Sequence, residues 1–208
     1  MQTVQTVCYR IDVGTFRDSA RTKESILDAA ERLIGEKGFQ ALTLDEVAIG
    51  ASVSKGGLLH HFPSKQSLIV GLAEYMILLH EQEIDANRKE DPNGPGAFTR
   101  AYLRANLACV DESTQVCAIL TAESRNIPAM LTLFQDFSAR CQQQLENDGL
   151  DPVIASMVRY AAEGLSAATK AGMPAPTNYK EVIARLMELA GGRRERSKKR
   201  NKEVLQSA

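Results

Sequence analysis

Residues 43–65, TLDEVAIGASVSKGGLLHHFPSK, leave this chain little choice of local structure. Leu44, Val47 and Ala48 fall on one face at helical spacing, a break follows at 51–53, and Leu58, Leu59 and Phe62 resume an apolar face on a second short helix. Two helices joined by so tight a turn form a helix-turn-helix. Ala48 is small enough for Leu58 to pack where the helices cross, so the second helix is expected to stand proud of its domain. It opens with Ser54, Lys55, Gly56 and Gly57, and in this motif that end meets base edges in the major groove.

The glycine pair bears on the same point. A glycine inside a helix costs about 1 kcal/mol relative to alanine, so two in a short helix are a poor choice for stability and a good one where backbone must approach another surface closely. The alternative is that Gly56 and Gly57 merely end a turn. Beyond them stand His60, His61, Phe62, Pro63, Ser64 and Lys65. Pro63 excludes helix at Phe62 and a new helix starts at once, with Ser64 as its N-cap. Its free N–H groups and partial positive charge, beside Lys65, suit a phosphate. The adjacent histidines diverge on a helix, and neither has a carboxylate or cysteine four residues on. Phosphate contact by one of them is therefore expected rather than metal binding.

The run VSKGGLLHHFPSK, preceded by LDEVAIGAS and by RTKESILDAAERLIGEKGF, resembles the DNA-binding domain of the tetracycline-repressor (TetR) family of bacterial transcription regulators. The resemblance covers about residues 20–72. It implies phosphate contacts by Thr43 and Lys65, and base or backbone contacts by Ser54, Lys55, Gly57 and His61. Two positions depart from the family pattern: Leu59 stands where tyrosine is common, and Ser52 where the turn usually has glycine. The site residues expected from residues and resemblance together are Thr43, Ser54, Lys55, Gly56, Gly57, His60, His61 and Lys65.

Charge narrows how such a site would work. Over 208 residues the formal net charge is -1, which argues against a protein that coats nucleic acid without regard to sequence. Residues 1–80 hold eight Lys or Arg and nine Asp or Glu, so affinity must come from where Lys55, Lys65 and Arg21 are placed. The four cysteines, Cys8, Cys109, Cys117 and Cys141, show no CxxC and no histidine at metal spacing, as expected of buried or free thiols in a reducing cytoplasm. Residues 1–19 lack the features of a secretory signal and are read as a flexible arm. No run is long and apolar enough to span a membrane; residues 68–79 come nearest and contain Glu74.

The rest of the chain reads as helix throughout. Ile26, Leu27, Ala30, Leu33 and Ile34 stripe a helix over residues 20–37 that Gly38 ends. Thr43 is the expected N-cap of the next helix, with Glu46 completing a capping box. The helix after Ser64 continues to about Arg88, and DPNGPG at 91–96 stops it. Further helices are expected over 98–110, 115–125 and, opening at Pro128, to about Asn147. Over 152–170 and 179–190 apolar residues occupy two faces, among them Val153, Met157 and Tyr160 opposite Ile154, Val158 and Leu165. A helix apolar on two sides needs two partners, and a second copy of the chain is the expected one. Residues 191–208 hold seven basic and two acidic residues, the composition of a disordered tail.

The expected architecture is therefore all-α: an arm (1–19), a three-helix helix-turn-helix DNA-binding domain (20–66), a helical ligand-binding and dimerisation domain (67–190) and the basic tail (191–208). The expected function is a cytoplasmic, homodimeric, ligand-responsive repressor on a near-palindromic DNA operator. It would dimerise through about 152–190 and take a small-molecule effector, with no cofactor or metal. The competing reading is a helical ligand-binding protein or enzyme whose helix-turn-helix docks on a protein. Against an enzyme, residues 97–190 contain no histidine and offer no nucleophile with a base beside it.

Overall fold

The computed structural model describes residues 13–108 and 112–191. Among them the chain is helical with no strand, as expected: α1 (Val13–Lys37), α2 (Leu44–Gly50), α3 (Lys55–His61), α4 (Lys65–Glu90), α5 (Ala97–Ala108), α6 (Glu112–Glu123), α7 (Pro128–Glu146), α8 (Pro152–Lys170) and α9 (Tyr179–Ala190). Two compact units divide between Gly71 and Leu72, inside α4. The expected arm needs correction, because α1 begins at Val13 and not at Ala20. Nothing in residues 13–19 breaks a helix, and Val13, Phe16 and Ala20 extend the helical spacing backwards. α6 likewise begins three residues before the expected Gln115. Residues 1–12 with Cys8, residues 109–111 with Cys109, and the tail beyond Gly191 lie outside the described residues.

In the first unit α1 lies along α2 and α3. Ile26, Leu27, Ala30 and Ile34 from α1, Leu42, Val47, Ala48, Leu58 and Phe62 are all buried. The second apolar face was expected to include Leu59, and here it differs: Leu58 and Phe62 turn inward while Leu59 is exposed. Adjacent residues on a helix stand about 100° apart, so both leucines cannot share the inner side. α4 packs close behind, since a Cβ at Gly71 would come within 2.5 Å of Phe62 Cε1.

Both ends of α2 are closed locally. Thr43 Oγ1 accepts from Glu46 N at 3.2 Å. The other half of the expected capping box is replaced by an ion pair, because the Glu46 carboxylate faces Lys37 at 3.6 Å. At the far end Val53 N donates to Ala48 O and Ser52 N to Ile49 O, both at 3.0 Å, the paired bonds of a Schellman ending. That ending places Ser52 at φ 56°, the left-handed region. Ser25 Oγ and Arg32 Nη2 of α1 donate to the carbonyls of Ala51 and Gly50.

The second unit is built on α5, α7, α8 and α9. Ile84, Phe98, Tyr102, Cys141, Leu145 and Ala155 form one apolar cluster, and Leu103, Val158, Ala162, Leu186 and Ala190 another. Two buried arginines tie these helices together. Arg100 donates to both oxygens of Asp91 and to the carbonyls of Asn93, Pro95 and Ala190, which accounts for its five N–H groups. The Arg100 guanidinium, and after it Arg104, holds the Asp91 carboxyl below the usual carboxylate range. Arg159 on α8 donates to Glu163, to Gln142 and to the backbone and hydroxyl oxygens of Ser138. Tyr102 OH donates to the same Glu163 oxygen at 2.6 Å. Burial and that carboxylate push the Tyr102 hydroxyl well above its ordinary pKa.

A non-glycine residue in the left-handed region is strained by about 1–2 kcal/mol, of which glycine's extra chain entropy takes back part. Ser52→Gly should therefore stabilise the first unit by about 0.5–1 kcal/mol, read as a higher midpoint in thermal or denaturant unfolding.

Candidate nucleic-acid interface

α3 has only seven residues, too few to persist as an isolated helix. Its two ends and its buried Leu58 hold it in place. Ser54 is its N-cap, with Oγ accepting from Gly57 N at 3.0 Å. This cap gives Gly57 a structural reason: a Cβ there would sit 3.2 Å from the Ser54 hydroxyl. Gly56 has no such reason. Its φ is not in the left-handed region, it is exposed, and an added Cβ would find nothing nearer than Ser54 Oγ at 4.0 Å. A helix former would fit there and save about 1 kcal/mol, so the packing of the unit does not itself call for glycine at 56.

The eight expected residues fall into three local groups. Thr43 caps α2, and the first turn of that helix supplies Asp45, whose Oδ1 lies 2.8 Å from Lys55 Nζ. Ser54, Lys55, Gly56 and Gly57 are thus gathered beside the start of α2. His60 and His61 stand edge to face with ring centroids 5.5 Å apart. Lys65 opens α4, its Nζ over the Phe39 ring at 5.7 Å. Ser64 and Ser67 close that end reciprocally, each hydroxyl accepting from the other's backbone N–H at 3.0 and 2.9 Å. The N–H groups of Lys65 and Gln66 have no carbonyl one turn back to meet, which leaves them for an anion.

Two neighbours were not read from the sequence. Lys23 of α1 reaches over the Phe62 ring at 5.9 Å, adding a cation beside the histidines. Asp45 is the second, and it places a carboxylate on the very lysine expected to meet DNA. His61 is held below its ordinary pKa by burial, then by His60 and by Lys23. Its ring is thereby a neutral donor and acceptor near pH 7, until an anion arrives to favour the charged form. Among the described residues no group of three His, Cys, Asp or Glu is placed to hold a metal ion, and no helix is long and apolar enough to cross a membrane.

Residues 26–72 match the family model for bacterial regulatory proteins of the tetR family, and residues 96–191 match that for the tetracyclin repressor-like C-terminal domain. A curated relative, the HTH-type transcriptional repressor BepR of Brucella suis biovar 1 (strain 1330), is 33% identical over 106 residues, 49% of this chain and 50% of its own. The chain spans between 19% and 50% of the length of the first three curated relatives it matches. Among solved structures, a transcriptional regulator from Rhodococcus sp. Rha1 superposes with a TM-score of 0.66 at 20% identity, covering 81% of this chain and 94% of that one. The multidrug binding protein EbrR complexed with ethidium gives 0.61 at 21%, covering 81% and 98%. Likeness at that identity concerns the fold.

The causes of the His61 shift are separable. In an NMR titration of the imidazole resonances His61 should titrate below 6.5, and Lys23→Ala should move it upward by removing one of the opposing cations.

Proposed function

The chain belongs to the TetR family of bacterial transcription regulators, and on that footing we propose that it is a sequence-specific, homodimeric DNA-binding repressor, released from a near-palindromic operator in the cytoplasm by a small-molecule effector. The observation that carries this reading is α3 itself. A two-turn helix turns Lys55, Gly56 and His60 to solvent, and its glycine at position 56 is not demanded by the fold. In a duplex the start of such a helix enters the major groove. Thr43 and the α4 start with Lys65 would take phosphates on either side, which orients the head without reading sequence.

The Lys55–Asp45 pair fits discrimination better than tight general binding. Both side chains are largely exposed, so their attraction is worth at most about 1 kcal/mol. Random phosphates would have to displace the carboxylate and would then sit beside it. A well-placed base acceptor offers more in return.

Dimerisation is supported by α8. Val153, Met157 and Tyr160 are 66%, 57% and 63% exposed and lie on one face, opposite the buried Ala155, Val158 and Ala162. A twofold pairing of that face with its copy, joined by α9, would set two α3 helices about 34 Å apart in successive major grooves. An effector in the second unit is supported by the structural likeness to a multidrug binding protein and by Ser166. Its hydroxyl is buried with no hydrogen-bond partner among the described residues, and a buried polar group so placed calls for one. An effector releases DNA only by binding the DNA-incompetent arrangement more tightly. α4, which contributes residues to both units, is the covalent link between effector and head.

Purified protein should retard the DNA upstream of its own coding region in a gel-shift titration. Lys65→Ala should weaken operator and random DNA alike and lower the log–log salt slope by about one, whereas Lys55→Ala should cost the operator about 1–3 kcal/mol and random DNA less. Operator binding unaffected by both changes defeats the reading. In sedimentation velocity at micromolar concentration the protein should run at twice its 22.8 kDa chain mass, and Tyr160→Glu should reduce it to a monomer.

A further inference from the structure

The outward arc of α3 is not wholly polar. Side chains advance by about 100° per residue, so in order around the helix from the buried Phe62 come Lys55, Leu59, Gly56 and His60, the last of them opposite Leu58 and Phe62. Leu59 is 36% exposed and lies on the flank of the outward side, between the directions of Lys55 and Gly56. Helical side chains lean toward their own N-terminus, which carries Leu59 over the preceding turn. That turn holds Gly56, which has no side chain to cover it and open space around it.

A single exposed leucine ordinarily needs no explanation. This one is the exposed large apolar side chain of α3, and it cannot hydrogen-bond to a base edge. The groove offers one apolar feature, the C5-methyl of thymine. We infer that Leu59 is a specificity-determining residue that reads a thymine in each operator half-site through its methyl group. The inference rests on the DNA-binding reading above. Cβ atoms one turn apart lie about 5–6 Å from each other, and base pairs step by about 3.4 Å. The thymine thus lies within about two base pairs of the base contacted by Lys55, for which guanine O6 and N7 are the matching acceptors.

The full chain, used to select sites from random duplex DNA, defines the half-site. Each thymine is then replaced in turn by deoxyuridine, which lacks only the methyl, and affinity is measured by fluorescence anisotropy. Wild type should bind about fourfold more weakly for each half-site in which one particular thymine is changed, the worth of about one buried methyl group. Leu59→Ala, an exposed change to a strong helix former, should bind both DNAs equally, and Leu59→Met should keep the discrimination. Wild type indifferent to every deoxyuridine, or a sensitivity that survives in Leu59→Ala, overturns the assignment while leaving the DNA reading intact. Selection that enriches no sequence overturns both.

Discussion

Leu58 is fully buried, and the position of α3 depends on it. Seven residues cannot sustain a helix in water, since nucleation is unfavourable and too few hydrogen bonds follow to offset it. Burying a leucine and a phenylalanine contributes roughly 1.5–3 kcal/mol each. Here Leu58 and Phe62 close against α1 and α2, and Phe62 also fills the space left by Gly71. The Ser54 cap and the Schellman ending at Ser52 fix where the helix starts and the angle at which it leaves α2. With one side so anchored, the opposite side is free of structural duty. Gly56 occurs there with open space around it, and Leu59, 36% exposed, flanks it.

Electrostatics on that face are restrained. The chain carries a net charge of -1, and Lys55 at the start of α3 is paired with the Asp45 carboxylate. His61 is kept toward its neutral form by burial, His60 and Lys23. Each feature lowers the general attraction to a polyanion and leaves more of the affinity to contacts that depend on sequence. A more basic surface would bind faster and discriminate less.

The second unit shows the same separation of duties. Arg100, Asp148 and Arg159 join segments far apart in the chain: Asp148 accepts from the N–H groups of Phe98 and Thr99 at 3.0 and 2.7 Å, and Arg100 reaches the carbonyl at the end of α9. Gly96 permits this approach, because a Cβ there would collide with the Ala190 oxygen. Internal polar groups are thus almost entirely used in holding α5, α7, α8 and α9 together. The apolar face of α8 and the Ser166 hydroxyl, without a hydrogen-bond partner among the described residues, stand apart from that framework.

Local chemistry was legible in the sequence. Thr43 and Ser64 were expected as caps and cap their helices, and Gly38 ends α1 at φ 81°. The bounds of α7, α8 and α9 follow proline, asparagine and apolar spacing almost to the residue. Such features act over one turn, where residue identity nearly suffices. The start of α1 escaped because helix signals there were weak and no breaker marked the end. Other features could be decided only by tertiary structure. These include Leu59 rather than Leu58 facing out, Asp45 meeting Lys55, Glu46 turning to Lys37, and two arginines being buried where a sequence pattern suggests surface. Periodicity says that a face exists, and packing chooses which of two adjacent leucines takes it. Ion pairs form between side chains that the fold brings within a few ångströms, a distance that no spacing along the chain encodes.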